Sequence, residues 1–68
     1  MELKEIEKMI GLRCRVSGDL ANGWNKDGTL YICHEDVVRV VKRIDGDRVV
    51  LECGRRFIIN KNLKITVQ

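Results

Sequence analysis

DVVRVVKRIDGDRVVLEC, residues 36 to 53, is the stretch that decides how this chain folds. Valine pairs at 37–38, 40–41 and 49–50 flank Asp45-Gly46-Asp47, and Asp-Gly between β-rich runs is the strongest short-range signal for a hairpin. A two-residue type I′ turn at Asp45-Gly46 sets Val40 opposite Leu51, Val38 opposite Cys53, Val41 opposite Val50 and Arg39 opposite Glu52. Apolar then meets apolar and charge meets opposite charge, whereas a one-residue slip would put Val40 against Glu52.

Outward from the hairpin, the N-terminal segment ELKEIEKMI (2–10) places Leu3, Ile6, Met9 and Ile10 on one helical face, with Glu and Lys elsewhere. Early glutamates suit a helix N-terminus and Gly11 a helix end, so a short amphipathic helix is expected. At that length it is unstable alone and must dock its apolar face. From Leu12 the period becomes two: Leu12, Cys14 and Val16 point one way, Arg13, Arg15 and Ser17 the other. Ser17 to Thr29 collects Gly18, Asn22, Gly23, Asn25, Asp27 and Gly28 and is expected to be a long functional loop. Leu30–Cys33 is expected as a short strand and His34-Glu35-Asp36 as the turn into the hairpin. Gly54-Arg55-Arg56 reads as a second turn, Phe57–Ile59 as a strand, Asn60-Lys61-Asn62 as a one-turn break, and Leu63, Ile65 and Val67 as the buried side of a last strand.

The expected fold is therefore mainly β: an SH3-like small antiparallel barrel of about five strands, preceded by a short amphipathic helix and forming one domain over residues 1–68. Curling is the economical way for so small a sheet to bury one face and hide its edges.

Composition bounds the function. The chain is 44% hydrophobic and 34% charged, as folded soluble domains are. No apolar run approaches the ~20 residues that span a bilayer, and the N-terminal segment is too acidic and polar for a signal peptide, so no membrane partner and a cytoplasmic location are expected. Three scattered cysteines, Cys14, Cys33 and Cys53, are an odd number and fit free thiols in a reducing compartment. With His34 they have the atoms for a zinc site but not the spacing, so no metal or other cofactor is expected. His34-Glu35-Asp36 contains a base, but adjacent residues form no relay, and catalysis is not expected. The net charge of +3 divides as −1 over residues 1–11 and +4 over residues 12–68, which suits an anionic partner without requiring one.

Residues 11–30 resemble a KOW motif, through Gly11, Cys14, Val16, Gly18, Gly23, Gly28 and Leu30. The spacing between Gly18, Gly23 and Gly28 is longer than in that family, and Asn22 or Trp24 stands where it carries a basic residue. The resemblance implies a small barrel that binds RNA or ribonucleoprotein partners. A helix ahead of five strands is also similar to the Sm family, which binds single-stranded RNA. Independently of either family, arginines that hold phosphates beside aromatics that stack bases are the usual recipe for single-strand recognition. The candidate surface is Arg13 and Arg15 on the solvent side of the first strand, Arg39 and Arg43 on the outside of the hairpin, Arg55 and Arg56 in a turn, and Trp24 with Lys26 in the glycine-rich loop. RNA or DNA is the expected partner. The alternative is a protein-interaction adaptor that assembles through the helix 2–10 or the strand 57–59.

Overall fold

The hairpin is present, but its turn sits one residue later than the Asp-Gly pair suggests. In the computed structural model, which describes residues 2–68, Asp45 pairs with Arg48 and Ile44 with Val49, so Gly46 and Asp47 form the two-residue connection. Gly46 has φ +63°, and no described non-glycine residue has positive φ. This is the type II′ pattern, in which glycine at the first central position carries the unusual conformation. A type I′ turn at Asp45-Gly46 would have required positive φ at Asp45 as well. A bulge at Lys42 then shifts the register, so Val41 lies opposite Leu51 rather than Val50, and the Glu52 N–H donates to the Val40 carbonyl at 2.9 Å. The bulge reverses the faces of the residues before it: Val37 and Val41 turn toward the core and Val38 and Val40 away from it. Cys53 is exposed because β3 ends at Leu51 and the residue falls in the turn before β4.

The elements in order are α1 (Leu3–Glu7), β1 (Arg13–Trp24), β2 (Leu30–Asp45), β3 (Arg48–Leu51), β4 (Arg56–Ile58) and β5 (Lys64–Val67). All the strand pairs are antiparallel, and the strands make one open sheet in the order β4-β3-β2-β1-β5. The mainly β, five-stranded architecture expected from the sequence is what forms.

The expected loop over Ser17–Thr29 is largely strand. β1 continues through Gly18 and Gly23 to Trp24, and β2 runs unbroken through His34-Glu35-Asp36, so the two form one long hairpin. Burial explains the continuation, because Leu20 and Ala21 are buried and reward pairing beyond Ser17. Each loop-forming residue is absorbed by a local device. Asn22 becomes a bulge between Ala21 and Gly23. Gly18 keeps φ +121° inside the strand, where an added Cβ would come within 2.6 Å of the Asn62 backbone oxygen. Only Asn25–Thr29 remains a turn. It is closed by Asn25 N–H to the Thr29 carbonyl at 2.7 Å and by Asp27 Oδ1, which accepts from the Thr29 N–H at 3.0 Å and its hydroxyl at 2.6 Å.

β2 has 16 residues, which at about 3.3 Å per residue would be roughly 50 Å long if straight. The longest dimension of the molecule is 35 Å, so β2 is strongly bent, its first part pairing with β1 and its last part with β3. Inside the curl lie Cys14, Val16, Leu20, Val41, Val49, Leu51, Phe57, Leu63 and Ile65, with Ile6 of α1 inserted among them. The helix is shorter than the apolar spacing suggests. Ile6 is buried and Met9 packs on the core, but Leu3 and Ile10 stay 42% and 43% exposed. Gly11 ends the segment by donating its N–H to the Val41 carbonyl at 2.7 Å, which draws the chain into the sheet. The predicted break at Asn60–Asn62 is a single turn closed by Leu63 N–H to the Asn60 carbonyl at 3.2 Å.

Gly18→Ala should lower stability by about 2 kcal/mol or more, from backbone strain and the clash with Asn62. Gly23→Ala meets open space and should change stability by no more than about 0.5 kcal/mol. Urea denaturation of the two variants checks this, and equal midpoints would show that Gly18 is not a constrained position.

Candidate nucleic-acid interface

Residues directly opposite one another in neighbouring strands share a face of the sheet. Arg43 is opposite Val50, which is opposite Arg56, and in the next row Asp45 is opposite Arg48, which is opposite Ile58. These six residues occupy the face away from Ile44, Val49 and Phe57, which point into the core. Arg13, opposite Val40, lies on the same outer face, since its neighbour Cys14 is a core residue. Val50 is only 2% exposed there although it stands between two arginines, as expected where their aliphatic stems cover an apolar neighbour.

Trp24 joins this surface through Arg48, whose guanidinium sits over the indole 5.1 Å from the ring centroid. The indole is 55% exposed, so it stands open to solvent. Arg48 is the functional candidate that sequence reasoning missed. The expected register set it opposite Arg43 on the outer side as well; what the sequence does not show is the pairing with Asp45 and Ile58 on that face that brings it over Trp24.

The other predicted residues divide by their partners. Arg15 makes a two-pronged contact with Asp36, from Nε to Oδ1 at 2.8 Å and from Nη2 to Oδ2. Arg55 grips Glu35 in the same way, with Nη1 to Oε2 at 3.0 Å, and lies over the Phe57 ring at 5.2 Å. Glu35 is the most enclosed carboxylate of the described ion pairs, its side chain 18% exposed. Arg55 therefore ties the β3–β4 turn to the middle of β2 and is committed to the fold. Arg56 reaches Asp45 at 3.4 Å, a looser contact. Arg39 is a correction: it shares the core-facing side of the sheet with Cys14, at an exposed rim, donates to the Val38 carbonyl at 2.7 Å and forms no ion pair with Glu52. Lys26 is exposed at the tip of the β1–β2 arm. Among the described residues Arg13, Lys26, Arg43 and Arg48 have no carboxylate partner.

Tyr31, a second exposed aromatic, is opposite Gly23 on the arm, and a hydrogen bond with Cys33 pushes its hydroxyl pKa up. The thiols are scattered. Cys14 is buried and its pKa is raised by that burial, Cys33 is half-buried and Cys53 is exposed. His34 faces Asp19 on the outer side of the sheet, and no group of three or more His, Cys, Asp or Glu among the described residues could hold a metal ion. No described helix is long and apolar enough to cross a membrane.

Compared with known proteins, the chain matches no family model, no curated protein and no solved structure.

Two carboxyls are held below the ordinary range. Asp36 is lowered mainly by its hydrogen bond from Arg15, and Asp27 by hydrogen bonds from the Thr29 hydroxyl and N–H. Their folded pKa values lie below the unfolded value of about 4, so their contribution is complete above that pH and is lost as pH falls through the folded values. Thermal unfolding followed against pH should therefore show a melting temperature that drops below about pH 4, and Asp36→Asn should flatten that drop. An unchanged acid limb in the variant would remove Asp36 as a contributor.

Proposed function

We propose that this chain is a non-catalytic binding module for nucleic acid, single-stranded RNA in the first instance, built on an SH3-like small barrel. The strand order β4-β3-β2-β1-β5, the bent β2 and the one-turn link into β5 support the barrel reading. The observation that carries the function is the stack of Arg48 on the exposed Trp24. It attaches an aromatic platform to the outer face that bears Arg43 and Arg56, with Arg13 on the same face. Aromatic stacking accepts any base and arginines hold the phosphates, which together give tight but sequence-tolerant binding. Arg15 and Arg55, being paired, contribute through the shape of the surface. The resemblances to KOW and Sm domains point to the same class of partner.

A protein-interaction adaptor is the second reading. One feature favours it: Leu30, Tyr31 and Ile32 are consecutive exposed residues beside Trp24 on the arm. A nucleic acid has no need of Leu30 and Ile32, whereas a protein partner would bury them. Concentration-dependent size without any oligonucleotide binding would favour this reading.

Titration with a single-stranded RNA oligomer at low salt should quench Trp24 emission. Affinity should fall with rising salt, with a log–log slope of about −0.7 per phosphate contacted. Arg43→Ala with Arg48→Ala should reduce both the affinity and that slope and leave the fold intact. Failure of the native chain to bind any RNA or DNA oligomer at low salt would overturn the proposal.

A further inference from the structure

Away from Trp24 and Arg48, a cleft of about 280 Å³ opens between β1, β2 and the β4–β5 turn, lined by Gly18, Asp19, His34, Lys61, Asn62 and Lys64. Its parts are set by the fold. Lys64 is opposite Ser17 and His34 is opposite Asp19, so β5 and β2 flank β1 at this point. The missing Cβ of Gly18 lets the backbone carbonyl of Asn62 press against β1, which seats the turn carrying Lys61 and Asn62. The Asn60 Oδ1, accepting from the Asn62 N–H at 2.9 Å, holds that turn from within.

The charge in the cleft is unbalanced. Its one carboxylate, Asp19, faces His34 Nδ1 at 3.2 Å. Lys61 and Lys64 have no carboxylate partner among the described residues, and Asn62 lines the cleft with them. Two ammonium groups, an imidazole and an amide around an open depression form a donor set for a compact anion, and lysine binds phosphate as a point charge without needing a planar partner. The volume exceeds that of inorganic phosphate and leaves room for what a phosphoryl group is attached to.

We infer that this cleft is a binding site for a phosphoryl group, held by Lys61 and Lys64 with His34 and Asn62 as further donors. The inference goes beyond the nucleic-acid reading, because none of these side chains belongs to the Arg43–Arg48–Arg56 surface. Asp19 acts here by holding the His34 ring through Nδ1, which leaves Nε2 as the ring's other polar atom.

Amide NMR of the labelled protein tests it, with adenosine 5′-monophosphate, inorganic phosphate, adenosine and sodium chloride as separate titrants at matched ionic strength. The two phosphate-bearing titrants should shift the amides of Gly18, Asp19, Lys61, Asn62 and Lys64 saturably, and adenosine and chloride should not. Lys61→Ala with Lys64→Ala should weaken the effect about tenfold or more, and Lys61→Arg with Lys64→Arg should retain it. The native dispersion of each variant's spectrum controls for folding. A single-stranded oligonucleotide as fifth titrant separates the sources: if it shifts these amides and the small phosphates do not, the phosphoryl group belongs to a polymer. Shifts that grow linearly with any salt, that persist in the double alanine variant, or that are absent with every phosphate-bearing titrant would overturn the site. Loss of the Trp24 quench with these shifts intact would instead remove the nucleic-acid reading and leave the cleft standing.

Discussion

A single five-stranded sheet has little to pack against except itself, and the bend of β2 is what allows it to do so. One strand serves both halves of the curl, pairing with β1 over its first part and with β3 over its last. Two devices set that geometry. The bulge at Lys42 supplies the local change of register and extra twist that a continuous ladder would resist. The grip of Arg55 on Glu35 fastens the β3–β4 turn over the middle of the bent strand. Ile6 then fills part of the interior that the strands leave, which accounts for a helix too short to be stable alone.

Ion pairing sorts the basic residues into two populations that composition could not separate. A two-pronged arginine–carboxylate contact fixes both side chains, so Arg15 and Arg55 are spent on geometry. What remains for a partner is narrower than the count of arginines suggests, and it lies in different places: Arg43, Arg48 and Trp24 on one part of the outer face, Lys61 and Lys64 at the cleft. Exposed pairs such as Arg56 with Asp45 contribute little to stability and exchange partners easily, so Arg56 is held only loosely away from an incoming phosphate.

Much of the architecture was legible in the sequence. Alternation at Cys14 and Val16 gave the core side of β1, Phe57, Leu63 and Ile65 were recognisable as interior, and the Asn60–Asn62 break stands where its residues suggest; Leu12 and Val67, expected on the same buried sides, are exposed at the strand ends. The failures share one cause: residues that usually end a strand were given local explanations when tertiary contacts decided their role. Gly18 is a strand residue because the turn before β5 has to pass close to it. Asn22 and Lys42 are bulges, which periodicity cannot reveal because each leaves the patterns on either side intact and out of phase. Placing the hairpin turn on Asp45-Gly46 gave good pairs from Val38–Cys53 to Val41–Val50 but set Arg43 against Arg48, a like-charge pair that the turn at Gly46-Asp47 removes by setting Arg48 opposite Asp45. Val38 and Val40 were faced the wrong way because the bulge at Lys42 changes the phase of β2. The candidate surface inherited the missed bulge, with Arg39 placed on the wrong side.

An open sheet has two unpaired borders, and here they are β4 and β5, three and four residues long. Each border carries an exposed cation, Arg56 on one and Lys64 on the other. Borders that short present few free backbone groups in a row, and an incoming strand would have to set its own chain beside a positive charge. The long pairings lie in the middle of the sheet and the brief ones at its rim, so the arrangement that builds the curl also discourages uncontrolled growth by strand addition.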